Sequence, residues 1–488
     1  MDAPPPPAAD PAAAHTREGL IPASRLADYR GLLWLIAASF FMQTLDSTIV
    51  NTAVPSIAEA LRITPLSLRT ALTSYVLTLA ICIPASPWLT DRFGTRRVFA
   101  VSIAVFTLGS AACGLAQSLP ELIAARVLQG LGGALLMPVG RYVLVRAFDK
   151  RDFVAAMSMV SIPGLLGPVL GPLLGGAFSE YLSWRLIFLV NVPVGIVGWW
   201  LNRRAMPEIR DPQRPFDGIG FVLFALASGL LLTAAEFASE DQLAIGGAAA
   251  LAGVTAAALY WAHSQRTAHP INDLSLLKIR SFWIAVGGSL FTRLGVSGMP
   301  FVFALFLQVG CGWSPLAAGL MMMPQALAMM AMKLMIDPLL KRYGYRRTLY
   351  VNTVLVAILL AMFGLLTAQT PWPWMALLNF AYGLVMSLQY TAMNTLAFVD
   401  LEPAQAGHAS SMTSTAQYLS MSFGIALASM LMSAYVGPHR QLAAAYVRGF
   451  RFSAVVLALL TLVGAFIFTR LRRDRALRAS VDTPETAS

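Results

Sequence analysis

Residues 31–53 read GLLWLIAASFFMQTLDSTIVNTA, an apolar run in which Asp46 is the only charged side chain. A helix of roughly 20 apolar residues crosses the hydrocarbon core of a bilayer, so this run is long enough to span a membrane. The carboxylate lies deep in the run, where a charged group is costly unless it is paired or protonated. This stretch therefore predicts a membrane-spanning helix that carries a functional acid.

Apolar runs of this kind recur along the whole chain. Of its 488 residues, 57% are hydrophobic and only 12% are charged, which excludes an ordinary soluble enzyme, since such domains are about 25% charged. The sequence thus predicts an all-α polytopic membrane protein embedded in the lipid bilayer. We expect fourteen transmembrane helices, at residues 31–53, 70–89, 98–116, 121–145, 153–178, 185–201, 217–235, 243–262, 281–309, 314–336, 347–368, 372–399, 408–435 and 448–470.

The basic residues are distributed unevenly between the two sides of the expected membrane. The net charge is +11, with 35 Lys and Arg residues, of which we assign 25 to the tails and the loops on their side and six to the opposite side. Because short loops rich in Lys and Arg stay in the cytoplasm, we expect both termini there and a multi-pass location in the inner (cytoplasmic) membrane. The positive charge is then a topology signal, and nucleic acid is not an expected partner.

Two short loops repeat one another. DRFGTRR at residues 91–97 and KRYGYRR at residues 341–347 match at four of seven positions, and repeated halves are typical of transporters. If the loops correspond, helices 1 to 6 and 9 to 14 form two six-helix bundles, and helices 7 and 8 are inserted between them. The expected divisions are a disordered cytoplasmic tail (1–30), an N-terminal bundle (31–205), two inserted helices with linkers (206–280), a C-terminal bundle (281–470) and a second cytoplasmic tail (471–488).

Asp46 and Arg126 lie at similar expected depths. At 1.5 Å per residue, Asp46 in helix 1 lies about 11 Å and Arg126 in helix 4 about 8 Å below the outer surface. An ion pair that breaks when the carboxylate is protonated would be a proton-coupling device. The alternative is a static pair that holds helices 1 and 4 together.

Several motifs together resemble the major facilitator superfamily, and the similarity extends over most of the chain. They are LDSTIVNTAVP at 45–55, RVLQG at 126–130, GLLGP at 164–168 with Gly-Gly at 175–176, and WRLIFLVNVPVG at 184–195. The last run narrows the resemblance to the fourteen-helix drug:proton antiporter branch. The resemblance implies the major facilitator fold and a proton-coupled secondary active exporter of amphipathic drugs or toxic compounds that works by alternating access. It also implies that the proton motive force supplies the energy and that no cofactor is needed.

The resemblance further implies two groups of gating or conformational residues. The loop at 91–97 would act as a cytoplasmic latch, with a pure topology signal as the alternative. Gly and Pro residues of helix 5 would form the close-packing surface typical of exporters, with ordinary helix packing as the alternative. The residues are Asp91, Arg92, Gly94, Arg96, Arg97, Gly164, Gly167, Pro168, Gly171, Gly175 and Gly176.

Polar and aromatic residues on helices that line the cavity in this family are the candidates for binding a small amphipathic substrate. Arg293 in helix 9 has no obvious partner, and it either lines the substrate path or points into protein. The substrate-binding candidates are Phe41, Gln43, Gln129, Arg293, Gln325, Gln389, Tyr390, Asn394, Gln417 and Tyr418.

Several other activities lack their sequence signals. No Lys follows a Gly, so the Gly-Lys-Ser/Thr phosphate loop is absent and ATP is not the expected energy source. We expect neither an enzyme nor a metal site, because no loop has room for a catalytic domain and the Cys and His residues lack metal-ligand spacing. A monomer is expected. The remaining alternatives are a proton-coupled exporter of one endogenous metabolite and a membrane sensor that does not transport.

Overall fold

The computed structural model describes residues 29–148, 150–210, 215–238, 242–402, 405–437 and 442–471. The expected disordered tail at 1–30 and the expected cytoplasmic tail at 471–488 lie almost wholly outside these described residues. Within the described residues, the regular structure consists of helices, with no β-strand. The expectation of an all-α protein is confirmed.

The helices, numbered in chain order, follow the expected spans. They are α1 (Arg30–Ala60), α2 (Pro65–Phe93), α3 (Thr95–Leu115), α4 (Leu119–Ala147), α5 (Lys150–Tyr181), α6 (Leu186–Ala205), α7 (Gly218–Ala238), α8 (Leu243–Arg266), α9 (Arg280–Gly310), α10 and α11 (the parts of Pro315–Phe363 before and after Gly344), α12 (Trp372–Leu396), α13 (Ala406–Val436) and α14 (Ala443–Thr469). α10 runs well past residue 336, where we expected it to end. An apolar run marks only the part of a helix inside the bilayer, so a helix can continue beyond it.

Two glycines end α2 and α10 with nearly the same backbone conformation. Gly94 has φ 83° and ψ 151°, and Gly344 has φ 71° and ψ 163°. Other residues rarely adopt such positive φ angles, so glycine is required at both positions. The loop repeat found in the sequence is therefore also a repeat of backbone geometry.

Twelve helices in the described part of the chain are long and apolar enough to cross a membrane. One of the twelve, Pro315–Phe363, is divided by Gly344 into α10 and α11, while α12 is not among the twelve. The chain is a multi-pass membrane protein. The count of fourteen crossings stays a prediction.

The helices pack as two groups of six. α1 packs against α5 and α6, and α3 against α4 and α6, while α9 packs against α13 and α14, and α12 against the α10–α11 segment. The two groups meet where α2 contacts α13 and where α5 contacts α10. The inserted helices α7 and α8 pair with each other, and α7 also contacts α2 and α13. Two groups of helices around a central space are an arrangement in which one group can rock against the other, while the divisions at residues 206 and 280 stay predictions.

Candidate functional site

Asp46 lies inside the N-terminal group of helices, and its side chain is fully buried. Its carboxylate accepts three hydrogen bonds. Oδ2 accepts from Arg126 Nη1 at 2.8 Å, and Oδ1 accepts from Gln129 Nε2 at 2.8 Å and from Asn191 Nδ2 at 3.2 Å. An ionised carboxylate can only accept, so three surrounding donors suit the charged form. The buried charge is thus both paired and hydrogen-bonded.

Arg126 and Gln129 share one face of α4, because they are three residues apart on a helix. Arg126 Nη1 also donates to Gln129 Oε1 at 2.7 Å. The Arg126 Cζ lies 4.9 Å from the ring centroid of Tyr75 and 4.8 Å from that of Phe188. The structure therefore brings together the two proton-coupling candidates and joins α1 to α4 through them.

Ser110 of α3 and Asn191 of α6 complete the group, and neither was a candidate from the sequence. Ser110 Oγ lies 3.1 Å from both Gln129 Nε2 and Asn191 Nδ2, and it donates to the Phe188 carbonyl oxygen at 2.8 Å. The signal for both was a polar residue inside an apolar run, and Asn191 also lies in the motif at 184–195. We call Asp46, Ser110, Arg126, Gln129 and Asn191 the Asp46 network.

A cavity of about 1510 Å³ lies beside the Asp46 network and between the two groups of helices. Ser47 and Tyr75 line its inner part, and the lining continues to Asp91 at the end of α2 and His408 at the start of α13. These ends lie on the side of the protein where α1 begins. The cavity therefore opens toward that side.

The sequence candidates for substrate binding divide into two sets. Those that line the cavity are Gln43, Asn394, Gln417 and Tyr418. Those outside its lining are Phe41, Gln129, Arg293, Gln325, Gln389 and Tyr390. Gln129 belongs instead to the Asp46 network. The division arises because each helix presents only one face to the cavity, and the sequence alone does not say which.

Gln389 was expected to face the cavity, but it does not line it. It is fully buried between α11 and α12. Its Nε2 donates to Thr353 Oγ1 at 2.7 Å, and its Oε1 accepts from Asn352 Nδ2 at 2.8 Å. All three polar groups come from helices of the C-terminal group, so Gln389 holds that group together and does not reach the cavity.

Arg293 lies directly behind the cavity wall. It is 5% exposed, its Nε donates to Ser289 Oγ at 2.9 Å, and its Nη2 donates to Asn394 Oδ1 at 3.4 Å. Its Cζ lies 4.3 Å from the ring centroid of Tyr390. No carboxylate pairs with it among the described residues, and Asn394 stands between it and the cavity.

The opposite side of the protein is closed by contacts between the two groups of helices. Gln308 Nε2 in α9 donates to the Thr52 carbonyl oxygen of α1 at 2.9 Å, and Leu316 N donates to Glu180 Oε2 at 2.9 Å. Gln308 lies in a single π-helical turn, a distortion often found at functional sites. The described conformation is therefore open on one side only.

The glycines of α5 allow two close helix contacts. A β-carbon at Gly171 would overlap Thr48 Oγ1 of α1, and one at Gly176 would overlap the Pro315 carbonyl oxygen of α10. Gly164 is different, because its nearest neighbour would be Phe40 Cβ at 3.6 Å. A β-carbon at Gly167 or at Gly175 would also overlap atoms of α1. The glycines therefore form a close-packing surface along most of α5, and Pro168 lies within this surface.

The loop after α2 is tied to the segment that follows α6. Thr95 Oγ1 donates to the Pro207 carbonyl oxygen at 2.7 Å, and Arg96 Nε donates to that of Met206 at 2.7 Å. Arg92 and Arg97 are exposed, and Asp91 lines the cavity opening. Both sides of this tie belong to the N-terminal group, and its role as a latch stays a prediction.

The described residues contain no group of His, Cys, Asp and Glu side chains that could hold a metal ion.

Arg141 of α4 is a charged residue that was not among the candidates from the sequence. It lines the cavity, and the available signal was a cation inside the expected span at 121–145.

Comparisons with known sequences agree with this architecture. A sequence model of the Major Facilitator Superfamily matches residues 36–425. A protein of Serratia proteamaculans (strain 568) named "Putative multidrug resistance protein MdtD" is 40% identical over 463 residues, which are 93% of this chain and 96% of that protein. A protein of the same name from Pectobacterium carotovorum subsp. carotovorum (strain PC1) is 41% identical over 418 residues, 85% of this chain and 89% of that protein.

A solved structure has the same fold. It is a bacterial homolog of the human lysosomal transporter Spinster, in an inward-facing and unoccupied conformation. The TM-score is 0.66, with 91% of this chain and 97% of that chain covered at 17% sequence identity. At this identity the likeness concerns the fold alone.

Proposed function

This chain belongs to the major facilitator superfamily, and from that membership we propose that it is a proton-coupled secondary active exporter of amphipathic compounds. The multidrug resistance name of relatives about 40% identical over most of the chain supports export of drugs or toxic compounds. It favours this function over export of one metabolite and over a sensor that does not transport.

The observation that carries the proposal is the position of the Asp46 network beside the cavity. Ser47 lines the cavity, and the preceding residue, Asp46, points away from it into a fully buried group of donors. Tyr75 lines the same cavity and lies against the Arg126 guanidinium. The Asp46 network and the cavity thus share one wall, which supports a role for them in exchanging protons for substrate.

Protonation would act on the network directly. A protonated carboxyl group has one O–H donor, yet both oxygens of Asp46 face donors, on Arg126, Gln129 and Asn191. A proton on Oδ1, which accepts two of these bonds, breaks at least one of them, and a proton on either oxygen removes the charge with which Arg126 pairs. Because Asp46 lies on α1 and its partners lie on α4 and α6, protonation loosens contacts between helices that border the cavity. This change would bias the protein between its two conformations.

The same proposal implies an energy source, a location and a set of partners. The proton motive force would supply the energy, and the protein would work in the inner membrane with both termini in the cytoplasm. The described conformation would then be open to the cytoplasm, ready to take up substrate. Protons, lipid and the substrate would be its partners, and the expected monomer needs no second copy for the site.

The test begins with a screen in a bacterial host stripped of its own efflux pumps. The purified chain is then reconstituted into proteoliposomes that contain a pH-sensitive dye. These proteoliposomes are loaded with any compound to which the chain confers resistance. We expect an imposed proton gradient to drive movement of the substrate, with protons crossing the membrane in the opposite direction. Substrate movement without proton movement would contradict the coupling, and binding without movement would favour the sensor.

A further inference from the structure

Two arginines from opposite groups of helices lie near the cavity, Arg141 in its lining and Arg293 behind it. Arg141 of α4 is exposed to the cavity and forms no ion pair or hydrogen bond among the described residues. Arg293 of α9 is buried, with only the neutral groups of Ser289 and Asn394 as hydrogen-bond partners in the described part of the chain. A buried cation is costly unless an opposite charge neutralises it. Neither arginine has such a charge beside it among the described residues.

Tyr418 interacts electrostatically with both arginines. It lines the cavity and lies within electrostatic range of both Arg141 and Arg293. Its hydroxyl lies 4.0 Å from Met137 Sδ, one helical turn before Arg141 on the same face of α4. Tyr418 is therefore an electrostatic neighbour of both cations, and each group of helices contributes one of them.

The carboxylates of the cavity lining lie at its opening and already have partners. Asp217 Oδ1 lies 2.7 Å from His263 Nε2, and Asp273 Oδ1 accepts from Ser275 N at 3.0 Å. Asp91 lies at the end of α2 and also takes part in an interaction. Within the described residues, no carboxylate lines the inner part of the cavity. Asp46 is closed off from it and paired with Arg126, so the inner cavity carries a net positive charge.

The remaining lining suits an amphipathic compound. Hydroxyl groups on one wall, those of Ser410 and Ser414, can donate hydrogen bonds to an anion. Val76 and Leu79 of α2 provide an apolar surface for a hydrocarbon part. One end of the bound compound can therefore be charged while the other stays apolar.

We propose that the inner cavity binds an amphipathic organic anion, such as an aryl or alkyl carboxylate, whose acidic group lies between Arg141 and Arg293. Arg141 contacts the anion directly, and Arg293 attracts it from behind Asn394. Because the arginines belong to different groups of helices, a bound anion links the two groups. The proposal rests on the proposed transport function and narrows its substrate class to anions, and it disfavours lipophilic cations.

The test measures binding to the purified full-length chain by isothermal titration calorimetry, without a proton gradient. The three probes are 1-naphthoate, 1-naphthamide and 1-naphthylmethylammonium, which are of similar size and differ in charge. We expect naphthoate to bind about tenfold more tightly than naphthamide, because a hydrogen bond to a charged group is worth that much. Arg141→Gln should remove most of this difference, and Arg293→Gln should reduce it by a few-fold.

Matched variants separate charge from structure. Arg141→Lys should retain the preference for naphthoate, and Lys333→Gln, which removes an exposed cation of α10 outside the cavity lining, should leave it unchanged. Tighter binding of the ammonium probe would overturn the proposal, as would equal weakening of all three probes in Arg141→Gln. Anion preference without proton-driven transport would contradict only the proposed function. Proton-driven export of cations by a chain that does not bind naphthoate would contradict only the anion site.

Discussion

Replacing Asp46 with Asn should remove the proton response of transport while leaving a folded protein. The amide has nearly the same shape, but one of its two polar ends is a donor, and all three groups that bond Asp46 are donors. Arg126, which is 1% exposed, would then keep its charge without a counter-ion. Removing one partner of a buried ion pair costs about 3–5 kcal/mol of stability. The bond from Arg126 to Gln129 Oε1 survives, so we expect a loss near the lower end of that range.

A second substitution tests whether this loss comes from the pair. Arg126→Gln in the Asp46→Asn background removes the uncompensated charge and should recover part of the stability. The double-mutant cycle should then give a coupling energy of about 3 kcal/mol between the two positions. Neither the single nor the double variant should recover proton-driven transport, because neither contains a titrating carboxylate.

The assay combines denaturant unfolding of the detergent-purified chain with two transport measurements in proteoliposomes. One measures efflux driven by a pH gradient, and the other measures exchange of labelled for unlabelled substrate without a gradient. Asp46→Asn should lose the first and keep the second. Asp337→Asn, which changes an exposed carboxylate of α10, is the matched control and should behave like the wild type. Wild-type gradient-driven efflux in Asp46→Asn would refute the coupling role, and additive stability losses would refute the pair.

Two further predictions concern helix contacts. Gly171→Val should reduce folded protein, measured as the monodisperse fraction after purification, because its side chain would overlap Thr48 and overpacking costs about 1–3 kcal/mol. Gly164→Ala should have little effect, and equal yields of the two variants would contradict the close α1–α5 contact. Gln308→Leu should speed hydrogen–deuterium exchange in α1 and α9 at the closed side, because it removes the bond between them. Gln325→Leu, which loses no hydrogen bond to the described residues, is its control, and unchanged exchange in Gln308→Leu would show that this bond does not hold the side closed.

The sequence alone determined the helical elements and their repeat. Whether a run of residues forms a membrane helix depends on the transfer of that run from water to the bilayer, which is a local property of composition. Gly94 and Gly344 are likewise local features, because the absence of a side chain permits their positive φ angles. The helix ends were less well predicted, as α10 shows, because a helix can extend into water beyond its apolar run.

The sequence also indicated the depth of Asp46 and Arg126, since rise per residue fixes the height of a group along a helix. Depth says nothing about rotation around the helix axis. Gln389 was expected at the cavity and instead bonds within the C-terminal group, while Arg141 faces the cavity and was missed. Which face of a helix borders a cavity is decided by its neighbours, and these are set by the packing of the whole bundle.

The three donors to Asp46 come from residues 80, 83 and 145 positions away along the chain. Ser110 joins them from a fourth helix. The sequence determined that a buried carboxylate would need partners, because burying an unpaired charge is costly. Only the tertiary structure decided which side chains satisfy it, because α1, α3, α4 and α6 meet through packing contacts between segments far apart in sequence.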